Sequence, residues 1–183
     1  GLDGTVVNSS QVKVTADGVN NADAKNDIDA TAGAFAGAGA ASLAEVQSGA
    51  DVEASVGSAA SITSNGAFWV TASSDHTAVA DSDLGTKSIL GANGVALPTA
   101  KVGGATRARM DGDVFDATEV KVSATSSNEA TGKSDVESKG VFAGSGANSL
   151  AEVTDAAETE TIVGATAQIN VPGAAVGVNS LSN

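Results

Sequence analysis

The chain has no cysteine and no tyrosine, and its 183 residues include two prolines and one each of methionine, tryptophan and histidine. Without cysteine there is no disulfide framework, no zinc–thiolate site and no thiol nucleophile. Aromatic side chains amount to 3% although 42% of residues are apolar, much of that share being alanine. An interior filled by small side chains needs backbones that approach closely, which favours thin, regularly stacked sheets over a bulky globular core. Proline occurs only at Pro98 and Pro172, and β-branched residues recur at regular spacing, which sets the chain apart from disordered Ala/Gly/Ser-rich segments.

Positive charge is scarce as well. Nine Lys and Arg face 22 Asp and Glu, for a formal charge of −13. That field repels nucleic acid and anionic membrane surfaces, so no nucleic-acid partner is expected. No apolar run approaches the roughly 18 residues of a membrane-spanning helix, so no membrane insertion is expected. The sequence opens without methionine and is expected to be a piece of a longer product whose export signal lies outside it.

What the chain has is a segment written three times: VKVTA at Val12–Ala16, FWVTA at Phe68–Ala72 and VKVSA at Val120–Ala124. The first and third copies stay in step to FAGAGAASLAEV from Phe35 and FAGSGANSLAEV from Phe142, which agree at ten of twelve positions. The offset is 107 to 108 residues, divided by the middle copy into steps of 56 and 52. Such a period marks a repeat architecture in which each unit buries its apolar face against its neighbours. Val12, Val14 and Ala16 alternate with Lys13 and Thr15, the period of a strand. The alternation is expected to break at Asp17–Asn20, Ser73–Asp75 and Thr125–Ser127 and then resume. Ser42–Val46 and Ser149–Val153 read as strand, with a short capped helical turn as the competing reading; interleaved glycine in Ala32–Ala40 argues against a longer helix.

The expected fold is an all-β repeat β-solenoid, parallel and β-helix-like, forming a single domain over residues 1–183. Its units run over about 12–67, 68–119 and 120–175, after a partial preceding unit 1–11, with two or three coils in each. Ala174–Val178 would begin a fourth unit. An antiparallel β-sandwich or meander is the alternative, because Asp17-Gly18, Asn65-Gly66, Asn93-Gly94 and Asp111-Gly112 are hairpin-type pairs. Strands of the VKVTA type, a polar Asn/Ala-rich segment, an Ala/Gly-rich run ending in AEV and a VGA-type closing strand resemble the repeats of bacterial filamentous-haemagglutinin-like and autotransporter-type adhesins, whose stalks are β-solenoids. The resemblance implies export, an extracellular or cell-surface location and adhesive or structural work, and it carries over no catalytic residues.

Superposing the units places Asp27, Asp83 and Asp135 at one position, with Lys25 and Lys133 two residues earlier as neutralising neighbours. Converging carboxylates of this kind suit Ca²⁺, and Asp111, Asp113 and Asp116 around Gly112 form a second acidic turn. A solvated acidic face is the competing reading. Asn20, His76 and Asn128 also coincide, as a structural ladder rather than a catalytic site. Trp69 stands where the other units have Lys13 and Lys121, so its parity turns it outward as a contact surface or sugar platform. Phe35 and Phe142 match and are assigned to the core. Absence of a nucleophile motif argues against an enzyme. The functional expectation is a structural or adhesive rod, homopolymeric through unpaired terminal strands. A carbohydrate-binding module is the alternative, with a glycan or cell-surface ligand, and a polysaccharide-active β-helix using Arg107 and Arg109 with Asp111 and Asp113 is the third.

Overall fold

The structure, a computed structural model, describes every residue from Gly1 to Asn183. The first unit forms β1 (Thr5–Ala32), β2 (Phe35–Val46) and β3 (Val52–Val56); the second forms β4 (Ser61–Ser88), β5 (Gly91–Val102) and β6 (Thr106–Met110). The third is more divided, into β7 (Asp113–Phe115), β8 (Glu119–Lys139), β9 (Phe142–Ala147), β10 (Leu150–Val153) and β11 (Thr159–Val163). β12 (Ile169–Asn170) pairs with β7 and β13 (Ala175–Ser182) with β8, so a fourth unit opens at β12, ahead of the Ala174–Val178 that the sequence indicated.

All strand pairs are parallel, and each joins equivalent residues of successive units. The long strands β1, β4 and β8, extended by β7, β12 and β13, make one sheet; β2, β5, β9 and β10 make a second; β3, β6 and β11 make a third. Val12 pairs with Phe68 and Phe68 with Val120, the register that aligning the copies implied. The antiparallel alternative is therefore corrected. Asp17-Gly18, Asn65-Gly66 and Asn93-Gly94 lie inside strands, and none of these glycines takes the positive φ that a primed hairpin turn requires.

Each unit runs out along one long strand and returns along two short ones that pack on it, so it makes one circuit instead of the two or three coils expected. The error traces to the polar segments at Asp17, Ser73 and Thr125, where the strands pass straight through. Half of those polar residues face outward. The others face the returning strands and find partners there: Ser74 hydrogen-bonds Thr106, Ser126 meets Thr159, and the His76 Nδ1–H donates to the Gly103 carbonyl at 3.2 Å. An inward polar group that is paired has no reason to leave the sheet.

This polar stripe divides the interior. On one side lies an apolar cluster built on Phe68, Val70, Met110, Val120 and Val122, and on the other a smaller one built on Ala78, Ala80, Ala100 and Val102. Farther along, Ser42 and Ser82 hydrogen-bond across the two layers at 2.9 Å. Alanine and serine dominate because the layers approach closely. That closeness also corrects the placement of Phe35 and Phe142, which are 70% and 75% exposed. A benzyl group does not fit the alanine-lined gap, so both project outward, flanking Gly91, and the Phe35 ring lies where a Gly91 Cβ would stand.

Candidate functional site

The outward face of the returning strands carries columns of charge. Glu45 pairs in register with Lys101 and Lys101 with Glu152; six and eight residues farther on, Glu53 pairs with Arg107 and Arg107 with Glu160. In both columns the middle unit supplies the cation and its neighbours the anions. Arg107 donates through Nε to Glu160 at 3.3 Å, through one terminal nitrogen to Asp51 at 3.1 Å and through the other to Glu158 at 3.4 Å. One guanidinium thus ties the first unit to the third across the second. Partial burial pulls its pKa down, but the hydrogen bond to Glu160 and the charge and hydrogen bond of Asp51, with Glu158, outweigh that and raise it. Asp51 is itself fixed by the Ala105 N–H at 2.7 Å, and Lys101 lies 3.6 Å from Glu152.

The long sheet shows the inverse order in one column, where Lys25 pairs with Asp81 and Asp81 with Lys133. Beside it run Asp27, Asp83 and Asp135, in the register expected, all three exposed. Glu137 is held below the ordinary glutamate range, first by its hydrogen bond from Lys139 and then by the charges of Lys139 and Lys87.

The acidic turn is not a convergent set. Asp111 accepts from Arg109, Asp113 accepts from the Gln168 N–H at 2.9 Å, and Asp116 occupies a left-handed φ of 60° in the break between β7 and β8. No group of three or more Asp, Glu or His side chains is arranged to hold a metal ion. Of the carboxylates read as candidate Ca²⁺ ligands, Asp111 and Asp113 are thus engaged by a cation and an amide of the chain at the turn, and Asp27, Asp83 and Asp135 are strung one per strand along the sheet. Arg107 and Arg109, the cations of the enzymatic reading, are both committed to carboxylates, and the pKa of Arg109 is raised chiefly by its hydrogen bond to Asp111.

Trp69 is half-buried instead of exposed, with Lys13 and Lys121 on either side in register and its indole Nε1 buried without a partner. His76 is fully buried in the polar stripe; Asn20 and Asn128 flank it, and Gly104 is pressed against its ring at φ 100°. The surface aromatics are Phe35 and Phe142. They share one rim of the molecule with Ile89, Leu90 and Val141, all exposed. Sequence reasoning missed this rim by assigning the phenylalanines to the core, although their parity, opposite to Ala36 and Ala143, pointed outward. It also missed the Arg107 clamp by looking only within the middle unit; aligning Glu53, Arg107 and Glu160 shows it.

Comparison of the chain with protein-family models, with curated proteins and with solved structures finds no match.

Proposed function

We propose that this chain is a segment of an extracellular or cell-surface β-solenoid rod, a structural and adhesive scaffold without catalytic work. One observation carries the reading: all pairing between units is parallel and in register, so each unit offers the next the same row of unpaired backbone groups that it received. Leu2 already takes the place beside Val56 that Val56 takes beside Met110, and β13 begins the same relation beyond β8. Such a fold is extended by adding units, and its buried side chains serve stacking. Small-angle scattering and electron microscopy of the purified chain test this. A flat, elongated β-rich particle is expected; a compact antiparallel barrel or an unfolded coil rejects it.

A second reading, glycan or cell-surface contact, is favoured by the exposed rim of Phe35, Phe142 and Val141 over the half-buried Trp69. Glycan titration of the wild type against Trp69→Ala and a Phe35→Ala/Phe142→Ala pair separates the two positions. Loss confined to the double variant supports the rim, and no binding by any of the three proteins removes the reading.

A further inference from the structure

We infer that the two open edges of this segment are built to receive a strand with the charge pattern of the middle unit, and that they are not complementary to each other. The inference rests on the stacked-rod reading above and names the partner those edges take.

In the third unit, Glu152 and Glu160 each have a cation on one side, Lys101 and Arg107, and an open strand edge on the other. Glu45 and Glu53 stand in the mirror situation in the first unit. Each open edge therefore repeats, outward, the chemistry that the middle unit satisfies inward.

Head-to-tail joining of copies, the expectation from sequence, brings the first unit onto the third once β12 and β13, which cover that unit over Val114–Ser126, are displaced. In the register that all pairs share, Glu45 would then oppose Glu152, Glu53 oppose Glu160, Lys25 oppose Lys133, Asp27 oppose Asp135 and Asp29 oppose Glu137. All five are like pairs, about 4.8 Å apart at strand spacing, and like charges directly opposite destabilise a sheet. A middle-type strand reverses three of them, placing Lys and Arg against the glutamates and Asp against the lysines, and removes the fifth with Gly85. Only the aspartate column stays acidic.

The same alternation explains why the first and third units resemble each other more than either resembles the second. Two chemically distinct units alternate, and their common period is the offset of 107 to 108 residues. The occupant is a polypeptide because the edge presents a row of backbone donors and acceptors that only an extended strand satisfies in register. Its defining features are those of Gly91–Met110: small side chains at every second position facing the interior, and two outward cations six residues apart, as at Lys101 and Arg107.

The test uses the full chain and three labelled synthetic peptides at low salt: Gly91–Met110, the same peptide with Lys101→Glu and Arg107→Glu, and the acidic counterpart Phe35–Val56. Fluorescence anisotropy reads the affinity, and amide chemical shifts of the chain locate the bound peptide. The middle-type peptide is expected to bind against β9–β11 or β2–β3, with the charge-reversed and acidic peptides about tenfold weaker or worse, and the gap should narrow in 0.5 M salt, roughly as screening of two exposed pairs requires. Equal binding of the acidic peptide, absence of binding by the middle-type peptide, or head-to-tail self-association of the intact chain at matching affinity would overturn it. Particle shape reports separately on the rod reading: an elongated particle without the charge preference removes the edge inference alone, and a compact one removes both.

Discussion

The middle unit and the two that flank it share a fold but not a charge. Over Thr5–Val56 two lysines face seven carboxylates, over Asp113–Val163 three lysines face ten, and over Ser61–Met110 four cations face three carboxylates. The flanking units are strongly anionic and the middle one nearly neutral, so each flank meets attraction at the centre and would meet repulsion from the other. Burial follows the same division. Inward residues of β4 are buried almost without interruption, whereas those of β1 are half-buried and those of β9 to β11 are largely half-buried or exposed. A unit in a stack acquires its core from neighbours on both sides; only the middle unit has both along its whole length, and in the third unit Val120, Val122 and Ala124 are buried where β13 covers β8.

The largest break in that comparison comes from one column. Phe68 is fully buried, and Val12, its partner in the first unit, is half-buried. Phe68→Ala is expected to cost about 3–5 kcal/mol and Val12→Ala about 1 kcal/mol in urea denaturation. Equal losses would show that the end units are as well packed as the centre. Glycines give a second contrast. A Cβ at Gly104, where φ is 100°, would stand 2.7 Å from the Ala50 carbonyl oxygen and 2.9 Å from the His76 ring, while at Gly173, with φ 81°, it would meet nothing. Gly104→Ala should therefore cost about 2–3 kcal/mol and Gly173→Ala about 1 kcal/mol, the backbone conformation alone. A Gly104→Ala variant as stable as Gly173→Ala would mean that the turn at 103–105 shifts freely.

Much of this was legible in the sequence, for physical reasons that can be named. The columns Val12–Phe68–Val120, Asp27–Asp83–Asp135 and Asn20–His76–Asn128 come directly from aligning the copies, because register in a stack of repeats is the alignment itself. Period-two alternation identified the strands. The number of circuits per unit was not legible, because Ser74, His76 and Ser126 look like loop residues until Thr106, Gly103 and Thr159 are seen facing them. Phe35 misled for a related reason: hydrophobicity suggests core, but the space between the layers is set by the alanines opposite. Lys101 and Arg107 went unremarked as a set because their meaning lies in Glu45, Glu53, Glu152 and Glu160, more than fifty residues away on either side.

The charge contrast itself is broken most directly at Arg107. Arg107→Glu places a carboxylate among Asp51, Glu158 and Glu160 and is expected to lower stability by about 1–2 kcal/mol at low salt, with Arg107→Gln costing about half as much. Added to 1 M, salt reduces the Debye length to about 3 Å and should recover most of the difference between the two variants. A salt-independent difference would mean that packing of the arginine stem, and not its charge, joins the units.

The smallest effect sharpens the comparison at the exposed end of β8. Lys139, with Lys87 of the neighbouring strand, holds the Glu137 carboxyl below its ordinary range. A carboxyl whose folded pKa is depressed contributes stability that is present above its unfolded pKa and lost as pH falls through the folded value, so the contribution fades on the acid side of the ordinary glutamate range. Carboxyl-carbon NMR should give Glu137 a lower titration midpoint than an unpaired glutamate, and Lys139→Ala should raise it. Lys87→Ala should raise it less, because the middle-unit lysine acts across a strand spacing without the hydrogen bond. Were Lys87→Ala to move the midpoint as far as Lys139→Ala, the middle-unit cation would govern even this local pair, and coupling between units would outweigh the contact within the third unit.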